Sequence, residues 1–113
     1  METMELRRAI RYPVAALVVF KWKDRAGGLA RGTGVTRDIS VSGAFIMTPD
    51  CPPPGSMLTV EIFLPHFENH GQSMRMVTEG QVMRVERSIL GESQDGFVVV
   101  TEGFAIPELA NRN

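Results

Sequence analysis

Ser56-Met-Leu-Thr-Val-Glu-Ile-Phe-Leu64 alternates without a break: Leu58, Val60, Ile62 and Leu64 fall on one side of an extended chain. A period of two is the signature of a half-buried strand. The stretch before it, Pro49-Asp-Cys-Pro-Pro-Pro-Gly55, holds four prolines. Each removes a ladder donor, so this stretch is a loop. After the strand, Pro65 to Ser73 is a polar loop. Towards the N-terminus, Pro13 to Trp22 puts Val14, Ala16, Val18, Phe20 and Trp22 on one face, with Lys21 and Lys23 on the other. Asp24-Arg-Ala-Gly-Gly28 is a turn. Leu29 to Ile39 is a second extended segment, in which Gly32 and Gly34 allow a bulge or sharp coil. Gly43 to Thr48 is a short third strand. Towards the C-terminus, Met74 to Arg87 is long and only partly alternating, Ile89 to Asp95 is a loop, and Gly96 to Thr101 is a sixth strand. Ile106-Pro-Glu-Leu-Ala-Asn111 fits one helical turn, with Pro107 tolerated at its start. Six short strands between Gly/Pro loops predict an all-β chain, an antiparallel barrel or sandwich. Closure would remove the exposed edges of so small a sheet.

The 113 residues suit a single domain. With 43% hydrophobic and 22% charged residues the composition is that of a globular protein, which excludes a disordered chain. No apolar run approaches the roughly 20 residues of a membrane-spanning helix, so membrane insertion is not expected. The polar start Met-Glu-Thr-Met-Glu-Leu-Arg-Arg does not fit a secretory signal. Cys51 is the only cysteine and has no internal partner. A lone thiol suits a reducing compartment, so a cytoplasmic location is expected.

Net charge is −1, but it is unevenly spread. Residues 1–37 carry eight bases against three acids, and residues 38–113 carry four against ten. Such a segment on a near-neutral domain reads either as a local anion site or as a solvated tail, and charge alone does not choose. Two short patterns bear on the choice. Arg7-Arg8-Ala9-Ile10-Arg11 contains Arg-x-x-x-Arg, a spacing that random order would produce about once in this composition. Asp38-Ile39-Ser40-Val41-Ser42-Gly43 is Asp-x-Ser-x-x-Gly, for which the same reckoning gives about 0.02. The informative signal is the pair, in this order.

On these residues the chain resembles the PilZ domain, the bacterial receptor module for cyclic di-GMP. The likeness runs through Arg7-x-x-x-Arg11, the Tyr12-Pro13-Val14 that follows, Thr36-Arg-Asp-Ile-Ser-Val-Ser-Gly-Ala-Phe45, Gly80-Gln-Val-Met-Arg-Val85 and Gly96-Phe-Val-Val-Val100. It spans about residues 5 to 105. The resemblance implies a six-stranded antiparallel β-barrel and a cyclic di-GMP site in Arg7, Arg8, Arg11, Asp38, Ser40 and Gly43. It divides the chain into a flexible N-terminal arginine arm (1–12), a barrel domain (13–105) and a C-terminal tail (106–113). It also implies a protein effector as partner. One ligand molecule or an intercalated pair, and monomer or homodimer, stay open as alternatives.

The residue types suit that ligand. Cyclic di-GMP carries two phosphates and two guanines. Arg7 and Arg11 can bind phosphate, or guanine O6 and N7, in a bidentate fork, and can stack on a base. Arg8 points elsewhere in a regular strand and serves as an electrostatic helper. Asp38 is an acceptor-only carboxylate that matches the N1–H and N2–H₂ donors of guanine. Ser40, two residues on, faces the same way and offers a hydroxyl. Gly43 permits positive φ and a close backbone approach. The plainer reading of Asp38 to Gly43 is a turn joining two strands, and the two readings are compatible.

Other features carry less. His66-Phe-Glu-Asn-His70 sits in a loop without metal-site order, so no metal is expected. No Ser or Cys nucleophile lies in an elbow, so no enzyme chemistry is expected. The methionines, Met74, Met76 and Met83 among them, read as core fillers. Trp22 reads as a core or barrel-end residue. A single-stranded nucleic-acid binder would need interleaved aromatics, whereas these make up 7%. The expectation is a cyclic di-GMP sensor that uses no cofactor and binds no nucleic acid. The alternative is a PilZ-like structural adaptor that does not bind the dinucleotide.

Overall fold

A computed structural model of the protein describes residues 10–64, 74–87 and 95–101. Six strands form: β1 (Leu17–Lys23), β2 (Leu29–Ser40), β3 (Gly43–Met47), β4 (Met57–Leu64), β5 (Met74–Glu86) and β6 (Gly96–Thr101). All pair antiparallel, in the order β1-β2-β3-β6-β5-β4, and β1 closes on β4. The sheet therefore has no free edge. Trp22 is half-buried near the β1–β2 hairpin and stacks on Phe20 at 5.7 Å, as a barrel-end residue does. Among the described residues no helix is long and apolar enough to cross a membrane. The tail over 106–113 and the His66/His70 loop lie outside the described residues.

The alternating residues fill the barrel. Val18 and Phe20 of β1, Leu58, Val60 and Ile62 of β4, and Phe97 and Val99 of β6 are buried together. Cys51 packs half-buried against this core, and burial raises its thiol pKa while the Arg87 charge pulls it down.

Two register shifts break the alternation. In β2, Thr36 pairs with Ile46 and Asp38 with Phe45, so Arg37 is an extra residue. In β5, Val82 pairs with Val99 and Arg84 with Val98, so Met83 is extra. Each bulge puts two consecutive side chains outside between two that face the core: Arg37 and Asp38 between Thr36 and Ile39, Met83 and Arg84 between Val82 and Val85. The glycines at 32 and 34, expected to permit a bulge, lie within regular β1–β2 pairing, and the irregularity sits at Arg37 instead. Met76 fills the core as expected, but Met83 is 56% exposed because the bulge turns it outwards.

The chain before β1 continues alongside β2 beyond the end of the β1–β2 pairing. Tyr12 bridges to Ile39, and the Thr36 amide donates to Ala16 O at 2.9 Å. The Thr36 hydroxyl, fully buried, accepts from the Ala16 amide at 2.9 Å and donates to Val14 O.

Candidate functional site

The bulges create a row of outward residues across four neighbouring strands. Asp38 on β2 pairs with Phe45 on β3, Phe45 with Val98 on β6, and Val98 with Arg84 on β5. At about 4.8 Å per strand the row spans roughly 14 Å. A second row runs Ser40, Gly43, Val100, Gln81. The intervening row, Ile39, Ala44, Val99 and Val82, faces the core. The outer rows bound a groove of about 310 Å³, with Phe45, Val98 and Val100 as its floor and Arg37, Asp38, Met83 and Arg84 along its sides. That volume lies at the lower end of ordinary small-molecule sites.

Arg11, Asp38, Ser40 and Gly43 all line this groove. Arg7 and Arg8 lie outside the described residues. The Tyr12–Ile39 bridge brings Arg11 beside Asp38, with Nη1 4.0 Å from Oδ1. The other oxygen of Asp38, Oδ2, accepts from Arg37 Nε at 3.1 Å. The Asp38 side chain is 18% exposed, whereas Arg11 is 66% exposed and opens to solvent. Ser40 Oγ lies 3.3 Å from Ser42 Oγ, accepts from the Ser42 amide at 3.3 Å and donates to Gly43 O at 3.5 Å. These bonds are long, so the hydroxyl can turn to a better acceptor at little cost.

Gly43 is needed for a different reason from the one its turn position suggests. Its φ is not positive, as those of Gly27 and Gly55 are. It lies buried inside β3, where a Cβ would stand 2.2 Å from Val99 O. The requirement is the close approach of β6, which brings Val100 under the groove.

Sequence reasoning missed Arg37, Ser42, Phe45, Met83 and Arg84. The Arg37 guanidinium lies 3.9 Å above the centre of the Phe45 ring. Phe45 points away from the core yet is only 4% exposed, because Arg37 covers it and Gly96 leaves room for its ring. The available signal was a broken alternation. Thr36 and Ile39, like Val82 and Val85, are inward residues three apart, which no regular strand allows.

The fold recurs in solved structures. The chain superposes on the Bacillus subtilis inhibitor of motility, MotI/DgrA, with a TM-score of 0.63 at 18% identity, covering 88% of this chain and 43% of that one. It therefore spans less than half the length of that protein. On the PilZ domain of CeSA from a cellulose-synthesizing bacterium the TM-score is 0.51 at 19% identity, with 82% and 81% covered. No curated protein matches the sequence. The family model described as the PilZ domain matches residues 5–105, which holds both motifs and all six strands, and the chain belongs to the PilZ domain family.

Proposed function

We propose that the chain is a non-enzymatic cyclic di-GMP receptor of the bacterial cytoplasm. In this reading it holds the dinucleotide between the N-terminal arginines and the Asp38–Gly43 turn and signals to a protein partner. One observation carries it: Arg11, Asp38, Ser40 and Gly43 line one outward groove on the barrel wall. Arg11 and Asp38 stand far apart in sequence, and the strap formed by the chain before β1 as it runs along β2 brings these two residues side by side.

The chemistry follows from the groups present. Asp38 accepts from the N1–H and N2–H₂ edge of a guanine. Arg11 shares that carboxylate only at 4.0 Å and through a largely exposed side chain, so it can swing to a phosphate. Ser40 exchanges its long internal contacts for a phosphate or base acceptor. Arg7 and Arg8 add charge from the arm, Arg7 as a second fork and Arg8 as a helper. Ordering the arm costs roughly 1–2 kcal/mol per residue fixed, so affinity is moderate. The ordered arm is the surface a partner reads.

Calorimetric titration tests this, with the linear dinucleotide and short oligonucleotides as controls. Saturable binding of cyclic di-GMP alone is the expected result. Heat from none of them would leave a PilZ-like adaptor without the ligand, and equal binding of oligonucleotides would point to nucleic acid.

A further inference from the structure

Resting on that reading, we infer that Arg37 is a base-stacking residue of the groove, its guanidinium set over Phe45 and a guanine lying against its other side.

Three observations meet at this side chain. The bulge at Arg37 puts it outside, next to Asp38, where a regular strand would have sent one of the two inwards. The guanidinium carbon lies over the Phe45 ring, 3.9 Å from its centre, and Nε donates to Asp38 Oδ2 at 3.1 Å. The side chain nonetheless remains 50% exposed. The exposed half of the side chain is what a ligand in the groove would meet. Arg37 also lines the groove together with Arg11, Asp38 and Ser40.

A planar cation set over a ring at a groove wall suits a purine better than a phosphate. Guanidinium planes stack on aromatic faces, and the more weakly hydrated guanidinium loses less on covering than an ammonium would. The Phe45 and Asp38 contacts hold the plane before ligand arrives, so little side-chain freedom is left to lose. A guanine on the open face makes a third layer above Phe45 and Arg37, with the Asp38 carboxylate at the rim of the stack. Arg37 thus differs in role from Arg11, whose contact among the described residues is the 4.0 Å one to Asp38.

The test compares cyclic di-GMP binding by the wild type, Arg37→Lys and Arg37→Ala, each at two salt concentrations, with a thermal melt of each protein. Lysine keeps the charge and loses the plane. Both substitutions are expected to weaken binding about tenfold, the size of one lost base stack. Arg37→Lys, which keeps the charge, should leave the salt dependence unchanged, and the melts check that both variants remain folded at the titration temperature. Wild-type affinity in Arg37→Lys would overturn the inference in favour of a phosphate contact, and wild-type affinity in Arg37→Ala would remove Arg37 from the site. The same Arg37→Lys change in an Asp38→Asn background separates stacking from mere orientation of Asp38. A loss that persists there supports stacking, and a loss that vanishes makes Arg37 only the holder of the carboxylate and overturns it. A wild-type chain that does not bind cyclic di-GMP would refute the receptor reading itself and this inference with it.

Discussion

Tyr12 and Ile39 exchange both backbone hydrogen bonds, Tyr12 N to Ile39 O at 2.7 Å and Ile39 N to Tyr12 O at 2.9 Å. Their neighbours Arg11 and Asp38 are brought together by that exchange. The N-terminal arm is thus anchored one residue after its second motif arginine. The bridge thereby fixes Arg11 at the groove wall, where the proposed clamp would have its root.

The arginines are the first test. Arg7→Ala or Arg11→Ala is expected to cost about 2–5 kcal/mol of cyclic di-GMP binding, roughly 30-fold or more, because a ligand anion loses a charged partner. Melting should barely move for Arg11→Ala, since its 4.0 Å contact to Asp38 is largely exposed and worth little. Calorimetry on both variants checks this; unchanged affinity in both would end the receptor reading.

Asp38→Asn keeps size and an acceptor but brings an amide against guanine N1–H. Binding is expected to fall by about 1–3 kcal/mol, and the preference for cyclic di-GMP over cyclic di-AMP should shrink. Parallel titrations with the two dinucleotides measure it. Val41→Ala, at the exposed turn, is the control. Ile39→Val does not serve, because Ile39 is in the core and the change itself costs roughly 0.5–1.5 kcal/mol of stability. A preference that survives Asp38→Asn would take base reading away from this carboxylate.

Gly43→Ala should act on the fold. A methyl 2.2 Å from the Val99 carbonyl pushes β3 and β6 apart, at an expected cost of about 1–3 kcal/mol. Thermal unfolding reads this directly. A variant as stable as the wild type would show that the two strands can part cheaply.

Thr36→Val removes the hydroxyl that joins the Ala16 amide to the Val14 carbonyl. Leaving buried backbone groups without a partner costs about 1–3 kcal/mol. The strap should loosen as well, so amide exchange at Tyr12 and Ile39 is expected to accelerate relative to Val18 and Val60. Equal protection at all four would mean that the strap holds without Thr36.

Much of this was legible in the chain itself. Leu58 to Leu64 and Val14 to Trp22 announce strands because one face of each meets the core, and the strand limits read from sequence fall within a few residues of those observed. The Asp-x-Ser-x-x-Gly motif located three groove residues. What stayed hidden was the phase of β2 and β5. A bulge is set by the register with the neighbouring strand, so Thr36-Arg-Asp-Ile39 shows a broken alternation without saying which residue is extra. Phe45 stayed hidden for the same reason: an aromatic in a short apolar strand reads as core, and only the register shows that it faces out beneath Arg37.

Under the proposed reading, the closed barrel lets recognition drift without endangering folding. Along β2, β3, β6 and β5 the same backbone presents one set of side chains to the interior and another to the groove, and at the bulges the two sets do not mix. Descendants of such a chain can exchange Arg37, Met83, Arg84 or Val100 for other residues while Ile39, Ala44, Val82 and Val99 go on filling the barrel. A groove of this kind can be retuned to another affinity, or silenced, by a handful of substitutions that selection for foldability would scarcely notice.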